Sequence, residues 1–367
     1  MDASLSRRSL LQILGAAGFW SSASSRSSDA AELKFSRMPS EGKDTPKICL
    51  GYPATDDAGL RRLKQIGVDN VLMGGPRIPW EEADIRGRIE RFKAGGLTIC
   101  NLMISGFNDV IWGRPGADEQ TENVIKSIRA AGKAGLPVIE YNFYAHRLIE
   151  GYKEELGRAG AGYTAYDYEL SKKLPPADGV GTHTRAEQLK RAERFLKAIV
   201  PEAEKANVRL ALHPNDPPVP LSRGSEQLMG TFAHWKDYLD LVKSPYNGMT
   251  FDCGVTRELG EDPVEVCRYL GKRDCINHVH FRNVVVRKPY VDYTEVFLDE
   301  GQVDMFGVMR ELVKQKYPRG LYPEHPRAID IDRAQGIKNQ YPGGGGFAGE
   351  IYNVGYARAM LQAALTL

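Results

Sequence analysis

The runs VRLALHP (208–214), GMTFDCG (248–254), INHVHFRN (276–283) and GLYPEHP (320–326) decide the fold, because each is a short apolar stretch that leads to a residue able to bind a metal. Each follows a segment of helical period, which is typical of a parallel strand in a repeated strand–helix unit. In a barrel of such units the carboxyl ends of the strands meet at one face. The four runs therefore predict a metal-dependent enzyme with its site at that face.

The same strand–helix unit recurs along the chain from residue 47. Helical segments such as TDDAGLRRLKQIGV (55–68) and ADIRGRIERFKAGG (83–96) begin at capping residues or end at glycines. Strands are predicted near residues 47, 69, 97, 137, 208, 249, 276 and 320. Eight such units predict an α/β fold, a (β/α)8 TIM barrel. A dinucleotide-binding sheet would need a G-x-G-x-x-G run, which CLGYPATDDAG (49–59) does not supply.

The charge and the cysteine content narrow the range of partners. The net charge is +2 with both signs intermixed, so neither nucleic acid nor a membrane surface is expected as a partner. The five cysteines are odd in number and lack C-x-x-C spacing, which argues against a disulfide framework and against a zinc knuckle. We therefore expect a small-molecule partner, and a homo-oligomer is left open.

Residues 1–30 are predicted to be an export signal, residues 31–45 a linker and residues 46–367 a single catalytic barrel domain. The stretch SRRSLLQILGAAGFW (6–20) places two arginines before an apolar run too short for a transmembrane helix, and it resembles a twin-arginine signal. An ordinary secretion signal is the alternative. A working twin-arginine signal predicts a periplasmic or exported protein, whereas a leader without function would leave the protein in the cytoplasm.

Two polar segments interrupt the repeat, residues 145–183 after the fourth strand and residues 284–300 after the seventh. Both follow a strand, on the side where barrel loops build active sites, so they are candidate lids. A glycine run, YPGGGGFAG (341–349), precedes the last helix. Its backbone is predicted to pass close to an anionic ligand at the start of that helix.

The residues at the four strand ends can form a cation site. A divalent cation needs three or four donors around a position left open for the substrate. His213, Asp252, His280 and Glu324 offer two imidazoles and two carboxylates. Cys253 is the alternative to Asp252, since adjacent residues of a strand face opposite sides. Such a set suits manganese, our first choice, or iron, cobalt, magnesium or zinc.

Further polar residues lie close to these ligands. His278 faces the same side of its strand as His280 and is a candidate for supporting it from behind. The arginines near the ligands could hold a carboxylate through two hydrogen bonds. The candidates for substrate binding share a position at or just beyond a strand end, and they are Arg282, Asn283, Asn142, Arg327 and, more weakly indicated, Glu140.

Three motifs resemble those of the mannonate dehydratase family, within the xylose isomerase-like barrel superfamily: HPNDPP (213–218), HFRN (280–283) and DEGQVDMFGVM (299–309). The resemblance covers most of the chain after residue 46 and is specific in its second half. It implies that His213 and His280 are metal ligands. It also implies that Asp216 is a polar residue of the catalytic site and that Arg282 contacts the substrate.

Two strand ends depart from the family pattern. Where the family has a cysteine ligand in a run like N-G-F-T-M-C, this chain reads NGMTFD, so Asp252 takes that position and Cys253 comes one residue later. Where the family has R-P-D-H-G, this chain reads YPEHP, which puts Glu324 on the aspartate position and His325 on the histidine position.

The resemblance implies a divalent-metal-dependent lyase, a dehydratase that acts on a sugar acid. His325 and Tyr341 are the candidates for proton transfer, since the family's tyrosine in the last loop falls on Phe347 and Tyr341 is its substitute. One alternative is a sugar isomerase or epimerase of the same superfamily, which would usually carry a glutamate where His213 stands. Another is a sugar-binding protein without catalysis, which would need no ordered cation.

Overall fold

Eight parallel strands close into a barrel, which confirms the predicted fold. The computed structural model describes residues 38–51, 55–337, 339 and 341–367, so the predicted export signal lies outside the described residues. The strands of the described part, numbered along the chain, are β1 (Lys47–Gly51), β2 (Asn70–Gly74), β3 (Thr98–Ile104), β4 (Val138–Tyr141), β5 (Tyr152–Leu156), β6 (Gly162–Asp167), β7 (Arg209–Leu212), β8 (Leu221–Ser222), β9 (Ser225–Glu226), β10 (Asn247–Asp252), β11 (Ile276–His280), β12 (Asn283–Lys288), β13 (Asp292–Val296) and β14 (Gly320–Tyr322).

The barrel follows the order β1, β14, β11, β10, β7, β4, β3 and β2, and its neighbouring strands are parallel. All eight predicted strands are present, each beginning within two residues of the expected position. Their side chains are buried on both faces, for example throughout β4 and β10, because side chains fill the interior and helices cover the outside.

The helices that cover the barrel begin and end at residues suited to those positions. Asp56 caps α1 by accepting from Gly59 N, and Thr184 and Glu187 form a capping box at α5. The helices are α1 (Asp57–Gln65), α2 (Glu82–Ala94), α3 (Asn108–Trp112), α4 (Ala117–Ala134), α5 (Arg185–Ala206), α6 (Phe232–Leu241), α7 (Cys253–Glu258), α8 (Pro263–Lys272), α9 (Met305–Lys314), α10 (Asp330–Ala334) and α11 (Phe347–Leu365). Within the described ranges, none of them combines the length and apolar character that a membrane span requires.

The two segments that interrupt the repeat meet in one antiparallel sheet, which we call the accessory sheet. It consists of β5 and β6 from the first segment and β12 and β13 from the second, in the order β12, β13, β6 and β5. Because β12 begins three residues after β11 ends, the accessory sheet is anchored at the carboxyl end of the barrel. A bridge between Gly162 and Ala328 ties it to the loop that follows β14.

The predicted anion site at the glycine run is wrong, because a carboxylate of the chain itself occupies that position. Asp332 accepts hydrogen bonds from the backbone N–H groups of Gly346, Ala348 and Gly349 at 2.9, 3.0 and 3.1 Å, and thereby satisfies the start of α11. The run needs glycine for close packing, since a Cβ on Gly345 would lie 2.3 Å from the carbonyl oxygen of Arg327.

Candidate metal centre and reaction pocket

The four predicted ligands converge at the carboxyl end of the barrel. His213 follows β7, Asp252 ends β10, His280 ends β11 and Glu324 lies just after β14. His280 Nδ1 is 3.0 Å from both His213 Nε2 and Glu324 Oε1, while Asp252 Oδ2 is 3.8 Å from His213 Nε2. All four side chains are buried, and their four donor atoms lie within 4.8 Å of one another.

These distances fit a divalent cation at the centre of the four donors. Ligand atoms about 2.0–2.2 Å from a cation are separated from one another by roughly 3–3.5 Å. His213 Nε2 and Glu324 Oε1 both lie 3.0 Å from His280 Nδ1, and one proton on that nitrogen can serve only one of them, so hydrogen bonding alone leaves a buried acceptor unsatisfied. A cation would satisfy all of these atoms together.

The tautomer of His213 suits a ligand. Its Nδ1 lies 2.7 Å from the carbonyl oxygen of Pro214, which can only accept, so Nδ1 carries the proton and Nε2 presents a lone pair to the other donors. The hydroxyl of Tyr144 also approaches Nδ1, at 2.8 Å. Burial and the nearby charge of His280 lower the pKa of His213, which keeps the ring neutral as metal binding requires.

His280 presents Nδ1 to the other donors and Nε2 to a carboxylate behind it. Its Nε2 lies 3.4 Å from Glu140 Oε1, and Glu140 is itself held by Asn101 and Thr250, each at 2.8 Å. Burial alone would lower the pKa of His280, but the charges of Glu324 and Glu140 outweigh it and raise the pKa to about 9. Without a cation, a proton on His280 partly offsets the crowded negative charge.

His278 precedes His280 by two residues on β11 and lies deeper in the barrel. Its ring centroid is 5.2 Å from that of His280, and both of its ring nitrogens are buried without a partner among the described residues. Burial lowers the pKa of His278 to about 4, so the ring is neutral. The predicted support of His280 comes more directly from Glu140, which faces the Nε2 of that ring.

Arg282 does not have the substrate-binding role predicted for it. It is 2% exposed and is enclosed by carboxylates, with Nη1 2.6 Å from Glu258, Nε 3.1 Å from Asp252 and Nη2 3.3 Å from Asp216. Each of its three nitrogens thus has a carboxylate partner within the protein, so the buried Arg282 holds Asp252 and Asp216 in place and has no exposed edge for a substrate carboxylate. Buried carboxyl groups still outnumber buried guanidiniums around the centre, which also favours a divalent cation.

Three more predicted site residues have structural contacts instead. Cys253 is the first residue of α7 and packs in the hydrophobic core, because the strand ends at Asp252 and the helix turns the thiol away. Asn283 holds the start of β12 through hydrogen bonds with Leu298 and the backbone N–H groups of Val284 and Val303. Arg327 donates to the carbonyl oxygen of His325 and to Glu295, so its guanidinium is also taken up.

The remaining predicted residues lie at a pocket of about 150 Å³ above the four donors. Asn142, Asp216 and His325 line it, and the ring of Tyr341 packs 5.6 Å from that of His325. The hydroxyl of Tyr341 accepts a hydrogen bond from Arg147. The full lining is Leu72, Met103, Glu140, Asn142, Tyr144, Arg147, His213, Asp216, His280, Tyr322, Glu324 and His325.

A neighbouring cavity of about 330 Å³ enlarges the space next to this pocket. The two share Met103, Asn142, Tyr144 and Arg147 as common walls. By itself the pocket is smaller than the roughly 300–1,000 Å³ typical of small-molecule sites. A larger cavity of about 470 Å³ opens beside the start of α6 and contains none of the predicted site residues.

Several residues of the site were not predicted. Tyr144 and Arg147 lie in the first interrupting segment or just before it, and Glu295 lies in the second. Glu258 is the last residue of α7. The only signal in the sequence was that both interrupting segments follow strands on the active-site face, which does not identify individual side chains.

Comparisons with known proteins agree with this geometry. A family model described as D-mannonate dehydratase (UxuA) matches residues 180–366. A mannonate dehydratase of Streptococcus pneumoniae (strain 70585) is 29% identical over 317 residues, covering 77% of this chain and 86% of that protein. One from Thermotoga maritima is 29% identical over 322 residues, covering 76% and 88%.

Solved structures show the same relationship. The mannonate dehydratase from Streptococcus suis serotype 2 superposes with a TM-score of 0.78 at 25% identity, covering 88% of this chain and 95% of that one. An L-ribulose 3-epimerase gives a TM-score of 0.53 at 14% identity, covering 88% and 96%, and shares the barrel fold.

Proposed function

Since the chain belongs to the D-mannonate dehydratase (UxuA) family, we propose that it removes water from a sugar acid at a divalent cation, with D-mannonate as the substrate. The observation that carries this proposal is the convergence of His213, Asp252, His280 and Glu324, whose donor atoms lie within 4.8 Å of one another beneath a pocket. The relatives named mannonate dehydratase support the choice of substrate.

The reaction breaks the C2–H bond and the C3–O bond of the acid. A bound cation would supply Lewis-acid polarisation of the carboxylate and its neighbouring hydroxyl, which acidifies the C2–H bond. A base takes the C2 proton, an acid protonates the departing C3 hydroxyl so that it leaves as water, and the resulting enol rearranges to a 2-keto-3-deoxy acid.

His325 is our candidate for one of these proton transfers. It lines the pocket, and its Nδ1 is 2.8 Å from Glu295 Oε2, which leaves Nε2 for the substrate. Tyr341 is the second candidate. Burial raises the pKa of its hydroxyl, and the guanidinium of Arg147 beside that hydroxyl only partly offsets the shift. Asp216 is at the pocket and accepts from the hydroxyl of Tyr152 at 3.1 Å, so we propose that it orients polar groups of the substrate.

Asn142 is the best remaining candidate for substrate binding. Its half-buried side chain lines both the pocket and the neighbouring cavity. An amide there can donate to one hydroxyl of a sugar acid and accept from another. We propose that the carboxylate end of the substrate lies over the four donors and that its far hydroxyls pass Asn142.

The test is an assay of purified protein, first stripped of metal and then reconstituted separately with manganese, magnesium, iron, cobalt and zinc. We expect a 2-keto-3-deoxy acid from D-mannonate, with manganese the most effective cation. The same samples are offered aldose and ketose pairs. Interconversion of those sugars without any keto acid would replace the dehydratase proposal with an isomerase, and an absence of bound metal and of turnover would favour a binding protein.

We also propose that residues 1–30 direct export through the twin-arginine route, from the arginine pair at Arg7 and Arg8 before the apolar run. The full chain is expressed in a bacterial host, and periplasmic and cytoplasmic fractions are compared with those of a variant in which both arginines are replaced by lysine. Equal periplasmic amounts of both proteins would contradict this route.

A further inference from the structure

We propose that Glu295, which the accessory sheet brings to the barrel, is a positioning residue that fixes the ring of His325 for proton transfer. This inference rests on the proposed function, in which His325 exchanges a proton with the substrate. It assigns a role in the reaction to a sheet that lies outside the repeated strand–helix unit.

The contacts of Glu295 set the tautomer of His325. Glu295 Oε2 is 2.8 Å from His325 Nδ1 and 2.9 Å from Arg327 Nη2, and the Glu295 side chain is 3% exposed. An ionised carboxylate can only accept, so Nδ1 must carry the proton that lies between the two side chains. His325 Nε2 is then the atom left to exchange a proton, as in other histidines held by a carboxylate.

The backbone of His325 has a strained conformation that Arg327 holds in place. His325 has a φ of +49°, in the left-handed region that a residue with a side chain adopts only at a cost. Arg327 donates to the carbonyl oxygen of His325 through Nε and Nη2, at 2.9 and 2.8 Å, and so holds this turn. Glu295 completes the arrangement by holding the ring and by pairing with the same arginine.

Glu295 can reach this position only because two distant segments form one sheet. It lies within β13, opposite Val284 of β12 on one side and Thr164 of β6 on the other. The position of the histidine ring is therefore coupled to the docking of both segments on the barrel. This gives a physical reason for building a sheet at the rim instead of two separate loops.

The main test replaces Glu295 by glutamine, with Glu155→Gln as the matched control. Glu155 is on the same sheet and bonds Thr294 at 2.8 Å, but it has no contact with His325. In Glu295→Gln the donor Arg327 keeps the amide oxygen at this position, so Nδ1–H faces an uncharged acceptor that stabilises the imidazolium formed during proton transfer less well. We expect kcat on the sugar acid to fall by about 100-fold or more, with KM changed less than about threefold and the metal content unchanged. Glu155→Gln should stay within about twofold of the wild type.

Proton NMR of the magnesium-loaded protein provides a readout that does not depend on turnover. We expect a downfield imidazole N–H resonance that is absent from His325→Gln, retained in Glu155→Gln and lost or moved upfield in Glu295→Gln, because an uncharged acceptor makes a weaker hydrogen bond. If Glu295→Gln does not fold, Glu295→Asp serves instead, because it keeps the charge for Arg327 but withdraws the carboxylate from Nδ1.

The outcomes separate this inference from the proposed function. Wild-type kcat in Glu295→Gln, or an equal loss in Glu155→Gln, would overturn the positioning role. A wild-type protein that converts no sugar acid would overturn the proposed function, whereas the resonance would still show whether Glu295 holds the ring.

Discussion

Replacing His280 by alanine is expected to abolish cation binding and activity together. The change removes the one donor that lies 3.0 Å from two of the others, His213 Nε2 and Glu324 Oε1. Residues that only support a metal ligand cost about 10–100-fold in affinity when they are replaced. Loss of a ligand at the centre of the set should therefore cost at least about 100-fold.

This loss of affinity translates into a measurable loss of stabilisation. At free manganese equal to 100 times the wild-type Kd, binding adds about 2.7 kcal/mol to the free energy of unfolding. A variant with 100-fold weaker binding gains only about 0.4 kcal/mol at the same concentration. The contribution of manganese to the free energy of unfolding should thus fall by about 2.3 kcal/mol.

The assay is urea unfolding with and without manganese, combined with metal analysis by mass spectrometry after gel filtration. His234→Ala is the control, because His234 lies on α6 beside the larger cavity and outside the group of four donors. It should keep its bound metal and the full manganese-dependent increment. Stoichiometric metal and an undiminished increment in His280→Ala would refute the assignment of the ligands.

Four further predictions concern His280, Glu350, Arg282 and Asp252. Because the pKa of His280 is raised to about 9, cation uptake must displace its proton, and calorimetry between pH 6 and 8 should show affinity rising by about tenfold per pH unit. Burial raises the pKa of Glu350 from 4.5 to about 7, so its ionisation costs nothing below about pH 4.5, destabilises the fold increasingly as the pH rises toward 7, and costs the full amount above that pH. Glu350→Gln should therefore raise the unfolding free energy by up to about 3 kcal/mol at pH 8 but not at pH 4, whereas the exposed Glu90→Gln should change it little at either pH. Arg282→Met leaves buried carboxylates unpaired and should lower the unfolding free energy of the metal-free protein by about 3–5 kcal/mol in urea titrations. Asp252→Cys should shift the order of metal affinities toward zinc relative to manganese, as measured by competition with a metal-binding dye.

The barrel and the convergence of the four candidate donors could be predicted because both depend on local sequence. A strand in a parallel barrel is a short apolar run, and its carboxyl end always faces the same rim, so His213, Asp252, His280 and Glu324 could be placed together without knowing any distance between them. No comparable rule places the residues of the loops that follow the strands.

Other parts of the site depend on contacts between segments that are far apart in the chain. Arg282 follows a ligand directly, yet its partners come from three other places in the chain, and they decide that it is buried and not available to substrate. Glu295 reaches His325 only after residues 145–183 and 284–300 have paired into a sheet. The sequence marked both segments as unusual but carried no signal of their pairing.

Local backbone geometry accounts for two further differences. Strand alternation would place the adjacent residues Glu324 and His325 on opposite faces. However, β14 already ends at Tyr322, and the backbone at His325 is left-handed. Glu324 and His325 therefore both line the pocket. At the other strand end, α7 begins at Cys253, so the thiol joins the core. Alternation predicted only that one of Asp252 and Cys253 faces inward, and Asp252 was preferred because an oxygen donor suits the other three. Asp252 does face inward, because the strand extends to that position.

The aspartate at position 252 is our reason for proposing manganese ahead of zinc. Its Oδ1 accepts from Val255 N at 2.8 Å and caps α7, while its Oδ2 faces the other donors and pairs with Arg282 at 3.1 Å. A cysteine at this position would offer one soft sulfur in place of these two hard oxygens. The chain thus presents two imidazoles and two carboxylates without a thiolate, and a donor set of this hardness favours manganese or magnesium over the softer cations that thiolates select. The same carboxylate pairs with Arg282 and would place it beside a bound cation, so this aspartate connects the end of a strand, the start of a helix and the charge balance of the site.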